Sequence, residues 1–342
     1  MRSLTASATA DAGKGAALTA VLSLVVGFVP LVSVLAVPLL PLPTAYVGVK
    51  WGERPALVSA AVASLLGGLF TGPVNGLLTC VLAAGLGVTL GAGLRRRWGS
   101  SRLLWVSTGV AALGHAAWIA LAWWLSGLTT AQLKSLMETS LQTASGMYER
   151  AGVDQASIDA ALESARAMLA VLPFLSPGIL LSLGLVLAVA TVGLAAAIFP
   201  RLERRLAPSL SFGSFRLHWS TPYGLVVGLV LVMLGTWLGR DGRALWLVGL
   251  NVLVLCATVF FVQGLAVTSW FANTGTRGTG TRAGWYVLAV VGQVLFLLLT
   301  WVGLIDAWVD FRKRFDRREP GTPDGISAVS GGDADEEETE WK

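Results

Sequence analysis

From residue 15 to residue 49 the chain carries no charged side chain, and Pro30, Pro38, Pro41 and Pro43 punctuate the run. A helix crossing the ~30 Å hydrocarbon core of a bilayer needs about 20 apolar residues. Proline removes a helical donor and clashes with the preceding turn, so one straight helix is excluded. The pattern predicts a first span over about 15–36 and a broken segment over 40–49. That segment is too short to cross unless neighbouring helices bury it. The opening run is also far longer than the apolar region of a secretory leader, so it is read as a span. Further apolar runs lie at 56–70, 74–94, 103–125, 172–199, 223–238, 244–267 and 285–305. Every backbone group must find a partner in lipid, and strands of a barrel would be shorter and would alternate, so these runs are predicted to be helices. The expected fold class is an all-α polytopic bundle of about eight or nine membrane segments.

Two stretches depart from that pattern. Over about 129–168, Leu133, Leu136, Met137, Leu141, Ala144 and Met147 recur every three or four residues, with Lys134, Glu138 and Gln142 between them. This is an amphipathic helix. The run breaks at Ala151-Gly152, and Asp154 is placed to cap a second helix carrying Ile158, Leu162, Ala165 and Leu169. An extramembrane helical hairpin resting on the bundle is expected, with a lid or docking element as the rival reading. From 319 to 342 the chain is rich in Gly, Pro, Ser and acids, too polar to bury a core, and is expected to be disordered.

Charge fixes the expected orientation, because short cytoplasmic loops are enriched in Lys and Arg. Arg95, Arg96, Arg97 and Arg102 place the 95–102 loop inside, as Arg201, Arg204, Arg205 and Arg216 place the 200–218 loop. Two crossings join these loops, so the hairpin faces outward and the N-terminus inside. Three spans after residue 218 would put the tail outside, yet Arg312, Lys313, Arg314, Arg317 and Arg318 predict an inside tail. A re-entrant segment, or a failure of the charge rule, is required. The expected organisation is an N-terminal tail (1–14), a six-segment unit (15–199), a basic cytoplasmic loop (200–218), additional membrane helices (219–311), and a basic collar with an acidic tail (312–342). The expected location is the inner membrane, multi-pass.

Composition agrees. The 342 residues are 54% hydrophobic and 13% charged, with a mean hydropathy of +0.69. That is about half the charge of a soluble domain, which argues against a soluble enzyme, a disordered chain or a nucleic-acid binder. Cys80 and Cys256 both sit in apolar runs and form no disulfide framework. Tryptophans such as Trp51, Trp98, Trp105, Trp219 and Trp285 fall near span ends, as an interfacial belt does. Spacings such as Gly87/Gly91, Gly224/Gly228 and Gly235/Gly239 suit close helix approach.

No nucleotide loop is present, since Gly13-Lys14-Gly15 lacks the Walker spacing, and no metalloprotease, paired-cysteine or hydrolase motif occurs. Two histidines, His115 and His218, are too few for a histidine metal site. No cofactor, metal or catalytic residue is expected, and an enzyme is not. The informative residues are polar groups in or beside spans, which tend to face a bundle interior or cavity. Asn75, His115, Asn251 and Gln263 are the candidate ligand contacts, and Gln293 is a further polar group of this kind. For His115 a structural hydrogen bond between helices is the leading reading. Asn251 and Gln263, twelve residues apart, differ by roughly 18 Å along a helix and are expected to belong to separate sites. Asp306 and Asp310 share a face and are expected to pair with Arg312 or Arg314 at the interface. The glycine-rich stretch 273–282 is either a plain connector or a phosphate or headgroup contact.

The C-terminal half resembles the YybS-like membrane proteins, a family of unknown function (domain of unknown function 2232). The matching residues are Phe212-Gly213-Ser214-Phe215-Arg216 with Pro222; then Asn251 with the run Phe260–Val267; then Gly303–Arg312. Residues 15–199 are similar in layout to the substrate-capture subunits of energy-coupling-factor transporters. The shared features are six helices with both ends inside, the run from Leu42-Pro43 to Gly52, and Gly72-Pro73 with Gly76 heading the next span. In those subunits an AxxxA pattern in the first helix contacts a coupling subunit, and Ala16 and Ala20 match its spacing. The resemblance implies a transporter-like scaffold that binds or passes a small molecule with a coupling subunit and ATPases, in contact with membrane lipid and no nucleic acid. About three spans beyond residue 199 depart from it. The rival readings are a non-transporting scaffold or assembly factor, and, ranked last, an intramembrane enzyme using Asp306, Asp310 or His115.

Overall fold

The computed structural model describes residues 5–203, 215–273, 279–309, 311 and 312, and every element among them is helical. The helix α1 (Ala6–Phe28) begins inside the predicted N-terminal tail, because Thr5 caps it by accepting from the Ala8 amide and an alanine-rich stretch follows. It ends ahead of Pro30. The return crossing is broken: α2 (Pro30–Ala36), an irregular turn, then α3 (Leu42–Trp51). Proline causes the break, and Thr191 donates to the freed Pro38 carbonyl at 3.2 Å.

The next crossings are α4 (Glu53–Thr71) and then α5 (Pro73–Cys80), which runs through a π-helical stretch (Val81–Gly87) into α6 (Val88–Arg95). After α7 (Ser100–Ser126) comes the amphipathic α8 (Thr130–Arg150), opened by a Thr129–Gln132 capping box. The 48-residue α9 (Gln155–Leu202) starts at the expected Asp154 cap, forms the second arm of the hairpin, and continues through the bundle. The chain closes with α10 (Thr221–Trp237), α11 (Arg243–Asn273), α12 (Thr279–Phe296) and α13 (Leu298–Val309).

At the α1–α4 contact the buried side chains are small, while many large apolar ones point outward. Leu65, Leu69, Leu113 and Met233 are all over 70% exposed, while α1 buries Ala8, Ala12, Gly15, Ala16, Thr19, Ala20 and Ser23. That face meets Pro55, Ala56, Ser59, Ala60, Ala63 and Gly67 of α4. Lipid tails are as apolar as leucine, so burying leucine gains little; close backbone packing by small residues drives association instead. This is the distribution of a membrane bundle, and among the described residues six helices are long and apolar enough to cross. Counting the broken α2–α3 crossing and α10 gives eight.

The third C-terminal crossing expected over 285–305 is not one helix. Leu297, at φ +51°, separates α12 from α13, and the Gln293 side chain accepts from the Leu299 amide at 3.1 Å to cap α13. The tight turn between α10 and α11 puts the start of α10 and the end of α11 on one side. Arg312 donates to the carbonyl of Phe215, just ahead of α10, at 2.8 Å. The chain is therefore back on that side at residue 312, so α12 and α13 together make no net crossing, as the charge pattern requires.

The hairpin also differs from expectation. The α8 helix packs on α9, through Arg166–Glu138 among others, but buries no residue; Leu136 and Met147 are 55% and 66% exposed. Its apolar stripe is only partly covered, with Met137, Leu141 and Ala144 half-buried and Leu133, Leu136 and Met147 exposed.

Candidate functional site

The polar cavity. Two of the candidate residues, Gln263 and Asp306, meet where α11 crosses α13. Gly264 and Gly303 make the crossing possible: a Cβ on Gly303 would fall on the Phe260 carbonyl, and one on Gly264 on the Leu299 carbonyl. Gly303→Ala should therefore cost about 1–3 kcal/mol by forcing the helices apart, read as a lower melting temperature in detergent. An unchanged melting temperature would contradict the crossing.

This close approach sets the Gln263 amide nitrogen 2.6 Å from Asp306 Oδ2, which also receives Arg312 at 2.9 Å. Asp306 Oδ1 accepts from the Phe311 amide at 3.0 Å. Both charged side chains are 1% exposed. Such a pair is tolerable only where further hydrogen bonds help to satisfy both charges, and here one backbone group at each end contributes, the Phe311 amide to Asp306 and the Phe215 carbonyl to Arg312. A carboxylate only accepts, so the Gln263 nitrogen must face it. Its oxygen is left buried without a partner.

Beside this network lies a cavity of about 360 Å³, walled by Gln263, Asp306 and Arg312 together with Arg216, His218 and Trp219. Trp219 stacks edge-on against Tyr223, and its neighbour His218 binds Ser220 at 2.9 Å. The cavity combines two guanidinium groups, an imidazole and a carboxylate, which suits a polar ligand. Asp306 thus pairs with Arg312, one of the two expected partners, though deep within the fold; Asp310 lies outside the described residues.

The other candidates are dispersed. Asn251, on α11, docks on the proline-bearing turn of α9, donating to the Phe174 carbonyl at 2.9 Å and accepting from the Gly178 amide at 2.7 Å. Those are the two groups that would bond each other in a regular helix, next to Pro173 and Pro177. Asn251 is thus a staple across this turn, far from Gln263 as the spacing predicted. Asn75 joins Ser23 at 3.2 Å and Thr71 at 2.6 Å, and Ser23 meets Thr79 at 2.6 Å, a polar tie between α1, α4 and α5. His115 is buried, with Nδ1 2.7 Å from the Ala111 carbonyl of its own helix, so that nitrogen carries the proton. Ala16 and Ala20 are 3% and 8% exposed, on the α1 face packed inside the bundle. They lie away from any surface open to a partner.

A charged cluster escaped the sequence reading. Lys50 bridges Asp11 at 3.1 Å and Glu203 at 2.9 Å; Trp51 donates to Asp11 at 2.8 Å and Tyr46 to Glu203 at 3.0 Å. This ties the ends of α1, α3 and α9. The available signal was Lys50 itself, the charge that ends a neutral run. Lys50, and then Tyr46, hold the Glu203 carboxyl below its ordinary range. A depressed pKa stabilises the fold above the unfolded value, about 4.3, and that contribution is lost as pH falls through the folded value. The melting-temperature gap between wild type and Glu203→Gln should therefore shrink on acidification below about pH 4; a constant gap would show that the ion pair contributes nothing.

Among the described residues no three His, Cys, Asp or Glu side chains come together as a metal site. The family model described as predicted membrane protein (DUF2232) matches residues 17–307. No curated protein and no solved structure matches the chain. The matched region spans both halves of the bundle and most of the residues around the buried Asp306–Arg312 pair, and the chain belongs to the DUF2232 family of predicted membrane proteins.

Proposed function

We propose that this integral membrane protein is a carrier-like binding protein that takes a small polar molecule in the cavity beside Gln263, Asp306 and Arg312. One observation carries the reading: a buried Asp306–Arg312 ion pair borders a cavity that Arg216 and His218 also line. Ionisable groups at membrane depth are costly, and where they occur they commonly serve a solute or ion pathway. The three stretches that resemble the YybS-like proteins each contribute to this place, through Phe215, Gln263 and Asp306. Having no nucleotide loop, the protein would draw energy from an ion gradient or from partner ATPases and a coupling subunit, in the inner membrane. Binding without covalent chemistry is the role proposed.

The test is native mass spectrometry of protein released from a mild detergent, comparing wild type with Gln263→Leu and Arg216→Gln. A small-molecule adduct on wild type that both variants lose supports the reading. Identical, adduct-free spectra for all three would overturn it.

A scaffold role has one observation in its favour, the partly uncovered apolar stripe of α8. It predicts that deleting residues 129–168 abolishes cross-links to other membrane proteins while leaving the bundle folded.

A further inference from the structure

A second cavity, of about 420 Å³, lies on another flank of the bundle. Its walls are Leu18 and Leu22 of α1 and Ile198, Phe199 and Leu202 of α9; α3 forms the floor. Leu18 and Leu202 are 55% and 59% exposed, so the cleft opens sideways, toward lipid. It exists because α3 is short: the proline break stops that crossing from filling the space between its neighbours. Along α1 the lining runs from Asp11 to Leu22, eleven residues or about 16 Å at 1.5 Å per residue. That is about half of a ~30 Å hydrocarbon core, the depth of one leaflet.

The polar end of the cleft carries Asp11 and Lys14, with Glu203 close by. Asp11 and Glu203 are already engaged by Lys50, Trp51 and Tyr46. Lys14 is not held in this way. Its side chain is 80% exposed and its ammonium reaches Asp11 only at 3.6 Å. The same end of the bundle holds Arg95, which donates to the Lys50 carbonyl at 3.1 Å, and Arg96, paired with Glu53. The charge rule assigns that end to the cytoplasmic leaflet, where anionic lipids attract basic residues.

We propose that this cleft seats one acyl chain of an anionic phospholipid, with the phosphate at Lys14. The chain lies along Leu18, Leu22 and Phe199. An apolar slot of leaflet depth, open sideways and ending at a loosely held ammonium, matches such a molecule in shape and charge.

The test is native mass spectrometry of the delipidated full-length protein titrated with dioleoyl phosphatidylglycerol, with dioleoyl phosphatidylcholine as control. Wild type should retain the anionic lipid preferentially. Leu18→Trp, which fills an exposed part of the cleft, should weaken retention at least tenfold; Leu202→Trp fills the same cleft from its α9 wall should Leu18→Trp fail to fold. Lys14→Gln should abolish the preference for the anionic headgroup. Gln263→Leu should leave lipid retention unchanged, which separates this site from the polar cavity. Equal retention by wild type and both cleft-filling variants would overturn the proposal. So would displacement of the lipid by equimolar glycerol 3-phosphate, which would identify a soluble anion as the occupant.

Discussion

Asp306→Ala should destabilise the protein by about 3–5 kcal/mol, the range for removing one partner of a buried ion pair. At 1.4 kcal/mol per tenfold, that is a shift of about two to three and a half orders of magnitude in the folding equilibrium. The loss comes mainly from what remains. Arg312 would stay buried at 1% exposure with its charge uncompensated, and the Gln263 amide and Phe311 amide would lose their acceptor. A double replacement, Asp306→Leu with Arg312→Leu, should recover much of the stability, since hydrophobic substitutes for a whole buried pair are often neutral or better. Ligand retention should stay absent in both variants. Melting curves followed by size-exclusion chromatography read both effects. If the single variant melted within a degree of wild type, the pair would not be buried as described.

The second large effect is expected at Asn251. Asn251→Leu leaves the Gly178 amide and the Phe174 carbonyl without the partners they have at the proline-bearing turn of α9. An unsatisfied buried group costs about 1–3 kcal/mol. Membrane hydrogen bonds measured individually are weaker, with a maximum near 1.7. Together these give an expected loss of about 2–4 kcal/mol. Asn251→Asp should be about as harmful, because the carboxylate accepts from Gly178 but cannot donate to Phe174 or Leu247, which the native amide also reaches at 2.8 Å. Changing Pro177 to Ala in the Asn251→Leu background should restore part of the loss, because removing the ring lets this turn tighten so that the Gly178 amide can bond the Phe174 carbonyl. A Pro177→Ala change that gave no rescue would show that Asn251 acts elsewhere.

The parts of this fold that were legible in the sequence are those set locally. The run 103–125 reads as α7 because charge is absent over a membrane's thickness, and Asp154 reads as a cap because it stands just before an amphipathic repeat. The separation of Asn251 from Gln263 followed from helical rise alone. What was missed depends on contacts distant in sequence. Nothing in Phe296-Leu297-Leu298 announces a break; it arises because Gln293 caps α13 and because Gly264 and Gly303 bring α11 and α13 together. The Asp11–Lys50–Glu203 cluster joins residues up to 192 positions apart, beyond any periodicity. The alanines of α1 look alike whether they face a partner or α4, so the AxxxA spacing could not distinguish the two. For Asp306 the pairing was foreseen, whereas its burial was not, because the Phe215 carbonyl that helps satisfy Arg312 lies 97 residues away.

The polar cavity requires the chain to fold back at Leu297, so that α13 and the 215–219 segment both line it. Spin labels at Trp219→Cys and Trp308→Cys, both on the cavity wall, with Cys80 and Cys256 changed to alanine, give the distance directly by pulsed electron paramagnetic resonance. A separation well under the ~30 Å hydrocarbon thickness is the predicted result. A separation at or beyond that thickness would mean that 285–305 crosses the membrane as one span, and the cavity would not exist.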